Sequence, residues 1–234
     1  MSAVRKPSRS APAAPRNSDR TRGLLLRAAF AEIYRSGFRS ADLDSILAAA
    51  GVTKGALYYH FVNKEALGYA VVDEVIARNL HHKWVEPLLD APSPIDVLVR
   101  LFQSESRKRE DVKRGCPLLN LSQEMSGIDE GFRKRTAKVY KQWHDAIASA
   151  LRDGQKRSVV RPDIDPSETA TFLIATWEGY IVLSKNAQDP RMMHSGQKTV
   201  SGHIESLRPT PRRRPRPSLR PARATTGRVP RLAR

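Results

Sequence analysis

Apolar residues recur at helical spacing along almost the whole middle of the chain. Leu26, Ala29, Phe30, Ile33 and Tyr34 fall at i, i+3, i+4, i+7 and i+8, a single stripe, and Gly37 stands where that helix should stop. Leu43, Ile46, Leu47 and Ala50 repeat the spacing over a shorter stretch closed by Gly51. Thr53 is placed to cap a third, very short helix reaching about Tyr59, and a fourth starts at Asn63 with Ala66, Leu67, Ala70 and Val71 along one side. Further on, Pro94, Asp129 and Pro166 open helices predicted through about 108, 156 and 187, and a shorter one covers 117–126. The stretch from Pro190 to Leu207 is too polar to read as a final helix. Period-2 alternation never persists between turn signals, and no segment repeats, so the fold class is all-α.

Charge changes this picture at the two ends. The 234 residues hold 41 Lys and Arg against 24 Asp and Glu, a net charge of +17. Residues 1–22 carry six of the basic residues against Asp19 alone, and residues 208–234 carry ten arginines and no acid. Both ends are rich in Pro, Ala and Ser and too poor in large apolar residues to offset the entropy of ordering. Residues 1–18 and 206–234 are therefore read as disordered basic arms around a nearly neutral helical body. Basicity on this scale points to a polyanionic partner, nucleic acid or an anionic surface.

Other classes are excluded by what the chain lacks. One cysteine cannot form an internal disulfide framework or a Cys-rich zinc site. His81-His82 is a lone adjacent pair, and His194 and His203 have no partners at metal-ligand spacing, so no metal or cofactor is expected. No run of about 18 apolar residues spans a membrane, and no apolar stretch of signal-peptide length precedes the first helix. A cytoplasmic protein that is not an enzyme is the expectation.

The second and third helices, joined by Ala49-Ala50-Gly51-Val52, read as a helix-turn-helix. Gly51 can take the positive φ that ends the first helix, and Val52 can seal the turn. Thr53-Lys54-Gly55-Ala56-Leu57-Tyr58-Tyr59-His60 would turn donors and cations outward, while Gly55 and Ala56 leave room for a close backbone approach. A major-groove reader needs this mixture of phosphate-contacting groups and small or polar groups at base edges. Leu57 and Phe61 would point inward.

These residues resemble the TetR family of transcriptional repressors. The likeness runs through the A-F-x-x-I-x-x-x-G-F of Ala29 to Phe38, through D-S-I-L-A-A-A-G-V-T-K-G-A-L-Y-Y-H-F of Asp44 to Phe61, and through Asn63-Lys64-Glu65-Ala66-Leu67. The resemblance implies a DNA-binding domain over 19–67 and a ligand-binding and dimerisation domain over 68–205. It further implies that Thr53, Tyr58, His60 and Lys64 contact phosphate, and that Lys54, Gly55, Ala56 and Tyr59 face bases. Where the family commonly has Thr or Ser just before the second helix, this chain has Ala41 and Asp42, so the phosphate role there moves to Ser40. The implied partners are a pseudo-palindromic double-stranded operator, a second copy of the chain and a small-molecule effector. The rival reading is an architectural protein that coats nucleic acid through its arms without sequence preference.

In the second domain, Phe132, Val139, Trp143, Ile147 and Leu151 on one long helix, and Phe172, Leu173, Trp177, Tyr180, Ile181 and Leu183 on another, serve equally as core or as a four-helix dimer interface. Arg114-Gly115-Cys116-Pro117-Leu118-Leu119-Asn120 resembles the G-C-x-x-x-N segment of one TetR subgroup. In part of that subgroup the cysteine answers oxidants or electrophiles. Lys113, Arg114 and a helix N-terminus beside Cys116 would lower its thiol pKa, and Lys185 matches a subgroup lysine placed to assist a thiolate. A buried, inert thiol is the alternative. Met125, Trp143, His144, Trp177 and Tyr180 are candidate effector-pocket residues.

Overall fold

Short polar side chains and prolines set most of the helix starts. The computed structural model describes residues 17–104 and 108–209. α1 (Asn17–Ser36) is followed by α2 (Leu43–Ala50), α3 (Lys54–His60) and α4 (Lys64–Ala70). The chain then continues through two wide π-type turns, Val71–Ile76 and His81–Val85, to a 3-10 turn at Glu86–Leu88. The remaining helices are α5 (Pro94–Gln103), α6 (Arg109–Arg114), α7 (Pro117–Met125), α8 (Glu130–Lys156), α9 (Pro166–Ala187) and α10 (Pro190–Glu205).

Each cap satisfies backbone N–H groups that the first turn leaves without partners. Asn63 Oδ1 accepts from Ala66 N at 2.7 Å, Asp129 Oδ1 from Phe132 N at 2.9 Å, and Asp165 Oδ1 from both Ser167 N and Glu168 N. Proline at the first position of α5, α7, α9 and α10 gives up an N–H that would have had no helical partner.

Four points depart from the pattern read in the sequence. Asn17 and Ser18 belong to α1 and not to an arm, and the rest of the N-terminal arm lies outside the described residues. The helix from Pro94 ends at Gln103, short of 108, and a separate α6 precedes the cysteine. Pro190 to Glu205 is helical despite its polarity, because Asp189 caps it and its inner face is made of small and amide residues. There Gln197 donates to the carbonyls of Phe102 and Gln103, at 3.2 and 3.0 Å. Leu207, placed in the C-terminal arm by composition, is buried, and Arg208 pairs with Glu205 and Asp96. The arm's remainder, from 210, lies outside the described residues.

α1 to α4 form a small head with Leu25, Ala29, Ile46, Leu57, Phe61 and Leu67 at its centre. α8 runs through the larger body, packed against α9, which packs in turn on α10. Phe132, Val139, Trp143, Ile147 and Leu151 on α8 are all buried within their own chain. They are core, and the dimer role weighed for them falls away. On α9 the faces divide. Leu173 and Trp177 point inward, whereas Phe172, Val182 and Leu183 are 48%, 40% and 52% exposed.

Candidate nucleic-acid interface and effector cavity

α2 begins at Asp42, whose Oδ2 accepts from Ser45 N at 2.9 Å, and ends at Gly51 in the left-handed region at φ 65°. That backbone turn returns the chain so that Val52 N donates to Leu47 O at 3.2 Å. Thr53 then takes extended geometry, and its Oγ1 accepts from Ala56 N at 3.3 Å, starting α3. Leu57 and Phe61 are buried and fix the rotation of α3 about its axis.

That rotation presents the opposite face to solvent. Lys54 and Gly55 are exposed, Tyr58 is 46% and Tyr59 79% exposed, and Ala56 and His60 are half-buried. The two tyrosines are therefore not packing aromatics. Tyr59 meets the His60 ring edge-on at 5.0 Å. Ser40 is exposed in the turn before α2. Lys64 reaches across to the same turn: its Nζ donates to Arg39 O at 3.1 Å and lies 5.1 Å above the Phe38 ring.

Head and body are joined by directional contacts. Glu124, on the last turn of α7, accepts the backbone N–H of Phe38 on Oε2 and that of Arg39 on Oε1, both at 2.8 Å. Gly37, at φ 84°, leaves the space this carboxylate needs, since a Cβ there would lie 2.9 Å from Glu124 Oε2. Tyr34 Oη donates to Gly115 O at 2.5 Å, and Arg114 sits over the Tyr34 ring. Arg22 forms a two-pronged pair with Glu74 and covers the ring of Phe61. The guanidinium holds the Glu74 carboxyl below its ordinary range. Gly68 lets α4 press against Phe38 and Phe132, with no room for a Cβ.

Between head and body lies a cavity of about 410 Å³. Its walls come from Phe30 and Tyr34 on α1, Trp84, Cys116 and Leu118 near the start of α7, Trp143 on α8, and Trp177 and Glu178 on α9. Trp84 and Trp143 are in ring contact at 4.8 Å, and Phe102 backs both Trp84 and Trp177. Of the residues proposed from sequence for this pocket, Trp143, Trp177 and Cys116 line it.

The others lie elsewhere. Met125 is buried off the cavity. His144 Nε2 lies 3.1 Å from Ser167 O on the outer side of α8. Tyr180 lies on Gly196, with its Oη donating to Thr199 Oγ1 at 3.3 Å. Lys185 Nζ donates to Asn120 Oδ1 at 2.9 Å and lines a neighbouring depression that does not include Cys116. Sequence reasoning missed Trp84 and Glu178. Trp84 carried a signal in its size and helical setting, but Glu178 carried none.

The thiol also differs from expectation. Burial first, and then the Glu178 carboxylate facing it, push the Cys116 thiol well above its ordinary pKa. The nearby cations and the helix start do not prevail, so Cys116 is a protonated, poorly nucleophilic thiol at neutral pH. Among the described residues no group of three or more His, Cys, Asp or Glu could hold a metal ion. No helix there is long and apolar enough to cross a membrane.

Comparison with known proteins agrees with this arrangement. Residues 25–71 match the bacterial regulatory proteins of the tetR family, and residues 95–200 match the tetracyclin repressor-like C-terminal domain. The transcriptional regulator AcuR of Cereibacter sphaeroides is 30% identical over 206 residues, covering 87% of this chain and 94% of its own. The transcriptional repressor DhaR of Mycobacterium sp. strain GP1 is 31% identical over 64% of this chain and 74% of its own. The crystal structure of a regulatory protein TetR from Rhodobacter sphaeroides superposes with a TM-score of 0.69 at 30% identity, covering 78% of this chain and 98% of that one. These relatives are transcriptional regulators, not enzymes and not coating proteins, and with them this chain belongs to the tetR family of DNA-binding regulators.

Proposed function

We propose that the chain is a homodimeric repressor that reads a pseudo-palindromic operator and is released from it by a small molecule held in the cavity. The observation that carries this reading is the outward face of α3. Lys54, Gly55, Tyr58 and Tyr59 are turned to solvent by an inward Leu57 and Phe61, beside the exposed Ser40. In this reading Ser40, Thr53, Tyr58, His60 and Lys64 hold phosphates, while Lys54, Gly55, Ala56 and Tyr59 meet base edges.

Two heads entering successive major grooves require half-sites about 34–36 Å apart. The exposed apolar stripe of α9, Phe172, Val182 and Leu183, is the surface on which the second copy packs. The protein acts in the cytoplasm, where its operator is.

Release is a two-state shift. A ligand moves the equilibrium only as far as it binds the DNA-incompetent arrangement more tightly. The cavity is placed for this, because Phe30 and Tyr34 of the head form part of its wall. The raised Cys116 pKa favours non-covalent occupancy over attack on an electrophile.

Fluorescence anisotropy on duplexes from the DNA flanking the gene, beside a scrambled duplex, tests the reading at two salt concentrations. The protein lacking 1–16 and 210–234 should still prefer the native duplex at the higher salt. Loss of all preference with the arms would overturn it.

A further inference from the structure

Aromatic walls account for most of the cavity, but not for its one interior charge. Three charged side chains line it. Lys83 and Asp111 are exposed at its edge, whereas Glu178 is only 6% exposed. The Glu178 carboxylate faces the Cys116 thiol and accepts from Tyr140 Oη at 3.4 Å. Beside it stand the indoles of Trp84, Trp143 and Trp177. Trp143 adds a second polar feature: its Nε1 is buried and has no hydrogen-bond partner among the described residues. The cavity wall therefore presents a carboxylate that wants a donor and an indole N–H that wants an acceptor.

From this pairing we propose that the cavity takes a small organic ammonium compound bearing one acceptor oxygen. The ammonium meets Glu178, the apolar body lies against the three indoles, and the oxygen accepts from Trp143 Nε1. An anionic ligand would set a second negative charge beside Glu178 away from water. A neutral ligand of the same shape would strip water from the carboxylate and return no charge in exchange. An ammonium returns the charge and also gains from the indole faces. The volume of about 410 Å³ lies in the range of small-molecule sites. The inference rests on the reading of this cavity as the effector site, but it can be tested apart from it.

The probes are 2-amino-1-phenylethanol, 1-phenylethane-1,2-diol and mandelate, which share a phenyl body and a benzylic hydroxyl but carry a cation, no charge and an anion. Isothermal titration into the full-length protein at neutral pH should rank them in that order, the amine about tenfold tighter than the diol. Glu178→Gln should bring amine and diol to within about twofold of each other. Trp143→Phe, which keeps a ring and removes the N–H, should weaken all three alike.

The proposal is overturned if the diol or mandelate binds the wild-type protein as tightly as the amine, or if the amine fails to bind at millimolar concentration. It is equally overturned if the preference for the amine survives in Glu178→Gln. The ranking on wild-type protein decides the matter even if the Glu178 variant does not fold. Operator anisotropy with the amine present separates the two readings. Correct ranking without any change in DNA affinity leaves the ligand class standing and removes the effector role.

Discussion

Replacing Glu124 by glutamine tests whether head and body are held together by a charged clamp. The carboxylate accepts two backbone N–H groups of the turn between α1 and α2, at 2.8 Å each. Hydrogen bonds to a charged acceptor contribute about 1.5–3 kcal/mol each, and a half-exposed position belongs at the low end of that range. Glutamine keeps one acceptor oxygen but turns an NH₂ towards the other N–H, so one bond is lost and two donors face each other. The expected cost is about 2 kcal/mol, or a thermal midpoint about 4–8 °C lower for a chain of this size. Alanine removes both bonds but opens space for water at the two N–H groups, so it should destabilise no more than glutamine. Differential scanning calorimetry on the three proteins measures both the size and the order. A glutamine variant within about 1 °C of wild type would refute the clamp. An alanine variant clearly less stable than glutamine would show that packing, not the two acceptors, matters there.

Four further outcomes follow from the same geometry. Tyr59→Ala should change stability by no more than about 0.5 kcal/mol, because the side chain is 79% exposed, yet weaken operator binding about tenfold or more, read by thermal melts and anisotropy. Gly68→Ala sets a Cβ 2.5 Å from Phe38 Cε2 and 2.7 Å from Phe132 Cζ, and should lower stability by about 1–3 kcal/mol in urea unfolding. Arg22 depresses the folded-state pKa of Glu74, so this pair's stabilisation is present above the usual carboxylate pKa and is lost as pH falls through the depressed value. The stability gap between wild type and Glu74→Gln should therefore close in acid. Cys116 should react with a disulfide reagent at pH 7 more than tenfold slower than a free thiol (about a pKa unit or more of lost thiolate), and equal rates would contradict its buried, carboxylate-faced setting.

What could be read along the chain, and what could not, divides by the range of the interaction. Gly51 after an apolar stripe, Thr53 three residues before Ala56, and Asp129 and Pro166 before their long helices act within one turn, and those elements stand where the pattern put them. The inward Leu57 and outward Tyr59 follow from the same short-range periodicity. Misreadings arise where a partner lies far along the chain. α10 looked too polar because its buried Gln197 finds its acceptors on Phe102 and Gln103, and its Gly196 is covered by Tyr180. Cys116 was judged from its neighbours Lys113 and Arg114, whereas its environment is set by Glu178 on α9. His144 and Lys185 share a helix with true wall residues but occupy the wrong side of it, and helical spacing alone could not say which side faces the cavity.

Because Phe30 and Tyr34 belong to α1 and yet wall the cavity, the reading head is not an interchangeable module. A hybrid joined near residue 67, giving this body a foreign head, would also give it a foreign cavity wall. One joined after Gly37 would keep the wall intact but place a foreign turn against Glu124. Retargeting to a new operator is therefore open at α3, where the variable side chains project into solvent. The first helix must answer to two masters, and substitutions there alter what is sensed as well as how firmly the reader is held.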